Sequence, residues 1–214
     1  MRIIVMLLCV FVLGCTTAGT QVTCSQPGDV IKQAVVQIRS GDYGFGSGVV
    51  IGDNMVITVA HTIDKDESVY VHIDGEDRAA SILSIDKNND LALLSVDTKH
   101  LKPVQLKRNA LQADEMVWVL GYPLASSQKL SLGLYKEKMN GRLYTTSHVN
   151  HGTSGGGLLA CDRGQYSLAG VVHGFVARID GGDYVNIGDS TSVPANIIEE
   201  FIWENTNRLA STYP

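Results

Sequence analysis

From residue 34 to residue 187 the chain is a succession of short apolar runs, each closed by a turn signal, and this punctuation leaves little choice of fold. The first series comprises Ala34–Arg39, Gly48–Ile51, Met55–Ala60, Ser68–Ile73, Ala80–Ile85 and Leu91–Val96. Between these runs stand Gly41-Asp42, Gly52-Asp53-Asn54, Asp74-Gly75 and Asn88-Asn89, residues suited to tight turns. The second series comprises Met116–Leu120, Leu130–Tyr135, Arg142–Thr146, Gly156–Ala160, Ser167–His173 and Tyr184–Ile187. Two groups of about six strands predict an all-β fold of two six-stranded antiparallel barrels. Near the end, Ile197, Ile198, Phe201 and Ile202 recur at helical spacing behind Pro194. They predict a C-terminal helix over 194–207, packed on the second barrel. Trp118 and Trp203 read as core aromatics.

The expected organisation is a leader at 1–14, a polar tether at 15–29, a first barrel at 30–98 and a second barrel with its helix at 115–214. The folded unit is expected to run from 30 to 207. Residues 99–114 carry Pro103 with Lys99, Lys102, Lys107 and Arg108, and read as a solvated connector. The leader, MRIIVMLLCVFVLGC, has Arg2 as its one charge, followed by an apolar run too short to span a bilayer. It reads as an export signal. Thr17-Ala18-Gly19 offers an ordinary cleavage site, but Val12-Leu13-Gly14-Cys15 resembles a bacterial lipobox. That resemblance implies lipidation of Cys15 and a membrane-anchored protein facing the periplasm or the cell exterior.

Charge excludes one class of partner. The net charge is −5, and nucleic-acid binding draws on clustered Lys and Arg, so no nucleic-acid partner is expected. Hydrophobic residues make up 44% of the chain, too many for a disordered polypeptide. Of the cysteines, Cys9 lies in the leader; Cys24 and Cys161 remain as a possible disulfide in an oxidising compartment, or as two buried thiols.

Three segments carry chemistry: Gly46-Ser47-Gly48-Val49-Val50-Ile51 followed by Val56-Ile57-Thr58-Val59-Ala60-His61, then Asp86-Lys87-Asn88-Asn89-Asp90-Leu91-Ala92-Leu93-Leu94, and Asn150-His151-Gly152-Thr153-Ser154-Gly155-Gly156-Gly157. A serine hydroxyl needs a base to become a nucleophile, and an imidazole titrating near neutrality can take its proton. A buried carboxylate would hold that imidazole in one tautomer. Glycines beside the serine let a turn aim backbone N–H groups at a developing oxyanion. Over about 30–205, in order and spacing, these segments resemble the chymotrypsin-like (trypsin-like) serine proteases of the HtrA-type branch, without a PDZ module. The resemblance implies a serine endopeptidase with His61, Asp90 and Ser154 as its triad and the N–H groups of Gly152 and Ser154 as its oxyanion hole. It also implies a protein or peptide substrate and no cofactor.

The same residues admit alternatives. Asp86 rivals Asp90, but Asp90 directly precedes the apolar run. The Gly152–Gly156 segment also fits the nucleophile elbow of α/β-hydrolases, a fold that places its acid and then its histidine after the serine; only His173 follows Ser154. A protease-fold binding or chaperone-like protein with little turnover is the second reading. His148, His151, Cys161 and His173 lack the tight pairing of a structural zinc site, so no metal is expected. For the substrate pocket, His148 stands where trypsin-type members carry their selecting acid. Strand alternation lets either Val172 or His173 face inward, for apolar or for acidic and amide side chains respectively. Thr153 carries no charge to receive a newly cut N-terminal ammonium, so no activating internal cut is expected.

Overall fold

The computed structural model describes residues 24–42, 44–98 and 100–212. The leader, the Thr17-Ala18-Gly19 site and Cys15 lie outside the described residues. A five-residue helix, α1 (Asp29–Gln33), opens the fold. Six strands then close one antiparallel barrel: β1 (Val35–Ser40), β2 (Gly44–Gly52), β3 (Met55–Thr58), β4 (Val69–Ile73), β5 (Glu76–Asp86) and β6 (Leu91–Ser95). Their order around the barrel is β1-β2-β3-β6-β5-β4. A second barrel follows from β7 (Met116–Gly121), β8 (Lys129–Met139), β9 (Arg142–Thr145), β10 (Gly157–Asp162), β11 (Gln165–Asp180) and β12 (Asp183–Pro194), ordered β10-β11-β12-β9-β8-β7. Closure leaves neither sheet with an open edge.

The cores follow from the alternation of the strands. Val35, Ile38, Val49, Ile57, Val71, Leu91 and Leu93 are buried inside the first barrel. The same cluster continues into the second through Leu120, Leu159, Leu168 and Val171. Burying each such side chain contributes roughly 1.5–3 kcal/mol, so the two barrels share one apolar seam. The connector departs from expectation. Leu101 and Val104 are buried, Val104 N donates to Val50 O (2.9 Å), and Leu106 bridges to Leu168. Two apolar residues at this spacing outweigh the solvation of its lysines and staple the connector across both barrels. Lys107 itself is turned in to Glu115 (3.4 Å).

The C-terminal helix, α2 (Ala195–Thr212), begins after Pro194, which closes β12 instead of opening the helix. Its buried residues Ile198 and Phe201 join the shared core, and it touches β5 and β6 as well as β11 and β12. It therefore packs on both barrels. Trp203 departs from the core reading and is 67% exposed: it lies two residues beyond Phe201, on the opposite side of the helix. Cys24 and Cys161 form a disulfide with their Cα atoms 5.7 Å apart, tying the segment before α1 to β10.

Candidate active site

His61 lies in a 3-10 turn, Ala60–Thr62, directly after β3. Asp90 ends the turn between β5 and β6. That turn is held by Asp86, whose carboxylate accepts from Asn88 N (2.9 Å), Asn89 N (3.1 Å) and Asn89 Nδ2 (2.7 Å). Asp90 itself is almost buried and has a left-handed φ of 59°. Its Oδ1 accepts the His61 backbone N–H (2.9 Å) and its Oδ2 accepts His61 Nδ1–H (2.8 Å). An ionised carboxylate only accepts, so the imidazole carries its proton on Nδ1 and leaves Nε2 as a base. Asp86 makes none of these contacts, and its role is confined to shaping the turn.

Ser154 stands on the facing barrel, in the loop between β9 and β10. Tight backbone bonds shape this loop: Thr153 N to Asn150 O (3.0 Å), Gly156 N to Thr153 O (2.9 Å) and Gly155 N to Val172 O (2.8 Å). Gly152 and Gly155 both have φ of 86°. A Cβ on Gly155 would lie 1.9 Å from Ser47 O, so only glycine fits there. The His151 carbonyl accepts from Leu124 N (2.6 Å). In a trans peptide the C=O and the following N–H point opposite ways. This bond therefore turns the Gly152 N–H away from Leu124. Among the described residues, neither the Gly152 nor the Ser154 N–H takes a hydrogen-bond partner. Both donors stand free beside the serine, as an oxyanion site requires.

The Ser154 hydroxyl donates to the backbone carbonyl of His173 (3.1 Å). Among the described residues it makes no hydrogen bond to His61; catalytic hydrogen bonds often tighten only once substrate is in place. Ser154, His61 and Gly152 border one cleft of about 1100 Å³, with Phe45, Ile63, Leu124 and His151.

The two pocket alternatives meet different surroundings: Val172 lies in the core, whereas His173 lines a pocket with Ser154, His61 and Phe175. Val172 is fully buried in the second barrel's core with Val117, Leu158 and Ala169. His173 points to the catalytic pair, and its Nδ1 donates to Asp90 Oδ2 (2.6 Å). The cause is a register shift between Val172 and Gly174 in the pairing of β11 with β12. A bulge re-aims the residue it holds and suspends alternation. His148 is exposed and borders a separate depression with Leu124, Lys129 and Leu130. Cys161 is committed to its disulfide and offers no thiolate to a metal. The Nδ1 atoms of His61 and His173 cluster with Asp90, but hydrogen bonds account for that approach.

Burial alone would raise the pKa of the Asp90 carboxyl. The hydrogen bonds from His173 and His61, with the positive charge available on His61, outweigh burial and hold it well below the ordinary carboxylate value.

One residue of the first segment received no role from the sequence. Ser47, fully buried on β2, donates through Oγ to Gly152 O (2.8 Å) and accepts from Tyr122 N (2.9 Å). Its backbone N donates to Ser154 O (2.8 Å). The first barrel thus grips the nucleophile loop of the second. The sequence around Gly46-Ser47-Gly48 does not name its partners, and only the packing of the barrels shows them.

Comparison with known proteins decides the family. Residues 46–171, more than half of the chain, match the profile of the Trypsin-like peptidase domain. The chain belongs to this family. It is 27% identical over 198 residues to Serine protease HTRA1A of Danio rerio, covering 85% of this chain and 39% of that protein. It is 33% identical over 135 residues to the mitochondrial Serine protease HTRA2 of Drosophila virilis, covering 55% of this chain and 32% of the relative. The chain thus spans well under half the length of these relatives. Two solved structures share the fold. The serine endoprotease from Yersinia pestis superposes with a TM-score of 0.71 at 21% identity, covering 85% of this chain and 68% of that one. The active form of the Rv3671c protease from M. tuberculosis gives 0.69 at 24% identity, covering 79% of each chain. In this trypsin-like domain, then, His61 and Asp90 come from one barrel and Ser154 from the other.

Proposed function

We propose that this trypsin-like domain is a serine endopeptidase working through an acyl-enzyme. The observation that carries the reading is the Asp90–His61 pair facing Ser154, with the Gly152 N–H aimed away from Leu124 beside it. In the first step Ser154 Oγ turns from the His173 carbonyl to His61 Nε2 and gives it the proton while attacking the substrate carbonyl. The Gly152 and Ser154 N–H groups stabilise the negative charge that moves onto the carbonyl oxygen; each such donor is worth about 100–1,000-fold. The imidazolium formed on His61 is stabilised by Asp90 and then protonates the leaving amine. The C–N bond breaks and the acyl group stays on Ser154. Water, deprotonated by the same His61, attacks the ester carbonyl; the Ser154 Oγ–acyl bond breaks, Oγ takes the proton back from His61, and the carboxylic acid is released. Every step uses side chains and backbone alone.

The test uses residues 16–214 with a blocked N-terminus. A fluorophosphonate probe should add once, at Ser154, without any prior proteolytic cut, and peptide hydrolysis should fall with labelling. Failure to label, together with binding of unfolded protein, would favour the chaperone-like reading.

Export and lipid anchoring belong to the same proposal and rest on residues 1–15. The basic start, the short apolar core and Gly14-Cys15 support a lipoprotein held to a membrane and facing the periplasm or exterior. Two or more acyl chains on the mature N-terminus would suffice for stable anchoring. Cys15→Ser should move the protein from the membrane fraction to the soluble one, and a variant still pelleting with membranes would refute the anchor.

A further inference from the structure

His173 touches all three members of the catalytic set. Its carbonyl accepts the Ser154 hydroxyl (3.1 Å), its Nδ1 donates to Asp90 Oδ2 (2.6 Å), and its ring meets the His61 ring edge-on, centroids 5.5 Å apart at 80°. Asp90 Oδ2 is therefore shared by two imidazoles, since His61 Nδ1 donates to the same oxygen (2.8 Å). The bulge at His173 makes this arrangement; an unbroken strand would not turn the side chain across to the first barrel.

We infer that His173 is a positioning residue that acts through Asp90, and that a proton on His173 slows the enzyme by drawing the Asp90 charge away from His61. The inference rests on the endopeptidase reading. With both rings neutral, each gives its Nδ1–H to Asp90, and the full carboxylate charge is free to stabilise an imidazolium formed on His61. When His173 is protonated, it forms an imidazolium–carboxylate pair with Asp90. A second imidazolium on His61, which the transition state requires, then faces a like charge at ring-contact distance and a carboxylate already neutralised. The groups facing His173 support that sign. Lys87 and Asn88 line the same pocket from the turn before Asp90, Arg142 from β9, His151 from the nucleophile loop and Phe175 from β11. Asp90 is the only carboxylate among these lining residues. Nothing else in the pocket can offset a second positive charge.

Variants at three positions and two readouts test this. His173→Ala removes the donor, whereas His173→Asn places an amide N–H close to the position of Nδ1. In wild type the acid limb of kcat/KM should require loss of two protons, and in both His173 variants loss of one. At the plateau, His173→Ala should lose roughly 10–100-fold, the order expected when a hydrogen bond to a charged group is removed. The loss should fall on kcat, and His173→Asn should recover most of it. His151→Asn should keep the two-proton limb, because that ring contacts Phe175 and not Asp90. A one-proton limb in wild type, equal losses in folded His173→Asn and His173→Ala, or collapse of the two-proton limb in His151→Asn would overturn the inference. The second readout needs no turnover. Proton NMR of the Ser154→Ala protein should show two far-downfield imidazole N–H resonances, one lost on adding His173→Asn. A single resonance before that change overturns the shared carboxylate. An inactive wild type showing both resonances would refute the endopeptidase reading and, with it, the slowing role assigned to the His173 proton.

Discussion

The two barrels hold their shares of the active site by different means. The first fixes its acid–base pair with side-chain bonds: Asp90 accepts both the backbone and the ring N–H of His61. The second fixes its nucleophile with backbone, through the turn from Asn150 to Gly156 and glycines at φ of 86°. The contrast separates chemistry from folding. In the first barrel, the groups that react can be changed while the turns around them persist. In the second, the reacting hydroxyl is dispensable to the fold, but the residues beside it are not.

The largest expected effect isolates the hydroxyl. Ser154→Ala should remove peptide hydrolysis, by on the order of a million-fold if the set acts as a unit. Its melting temperature should stay close to wild type, because only the bond to the His173 carbonyl is lost. Substantial hydrolysis by the pure variant would break the assignment. Asp90→Asn comes next, with a loss of about 10,000-fold by analogy with the corresponding change in a related protease. An amide cannot accept from both rings and also stabilise an imidazolium. Steady-state kinetics at the pH plateau measures both.

The next prediction moves from chemistry to framework. Gly155→Ala should destabilise by about 3 kcal/mol or more, since its Cβ would collide with the Ser47 carbonyl and the position has positive φ. Ser47→Ala should be milder, about 1–3 kcal/mol, because it removes the hydroxyl that joins Gly152 O to Tyr122 N. Urea unfolding separates the two. A Gly155→Ala protein as stable as wild type would show that the nucleophile loop is not set by backbone geometry.

The same contrast explains what the sequence made legible. The barrels could be read because alternating apolar runs and turn residues are local signals. The triad positions could be read because each lies beside a short motif. The bond from His173 to Asp90 was not legible because it depends on a register shift between β11 and β12, and no local pattern around Val172-His173-Gly174 marks it. Ser47 had no readable role because its partners lie far along the chain, at Tyr122, Gly152 and Ser154. The connector was misjudged for a related reason: four basic residues suggested solvation, while Leu101 and Val104 decide its position by filling the seam. Local chemistry is written in neighbouring residues; contacts made when two barrels close on one another are not.

The smallest effect tests whether the first barrel's turn is separable from its chemistry. Asp86 holds the turn before Asp90 by accepting three N–H bonds, and it touches neither ring. Burial alone would raise its pKa. The Asn89 side chain, the backbone N–H groups of Asn89 and Asn88, and the charge of Arg142 reverse that and leave it lowered. A carboxyl whose pKa is lower in the folded chain stabilises the fold above its unfolded value, near 3.9. That contribution is lost as pH falls through the folded value. Asp86→Asn keeps an acceptor oxygen but sets an amide N–H₂ against that of Asn89. It should cost roughly 0.5–1 kcal/mol at neutral pH, at the low end for hydrogen bonds because the turn is solvent-accessible. In a chain of this size, that is a fall of about 1–4 °C in Tm. The gap between variant and wild type should narrow as pH drops below about 4, since the variant has no proton to take up there. Peptide hydrolysis should stay within about threefold of wild type, because half a kcal/mol at a turn moves a rate no further. Thermal melts from pH 3 to 7 and one kinetic measurement decide it. A gap that widens toward low pH would contradict the lowered pKa. A hundredfold loss of activity would show that Asp86, and not only Asp90, belongs to the chemistry of the first barrel.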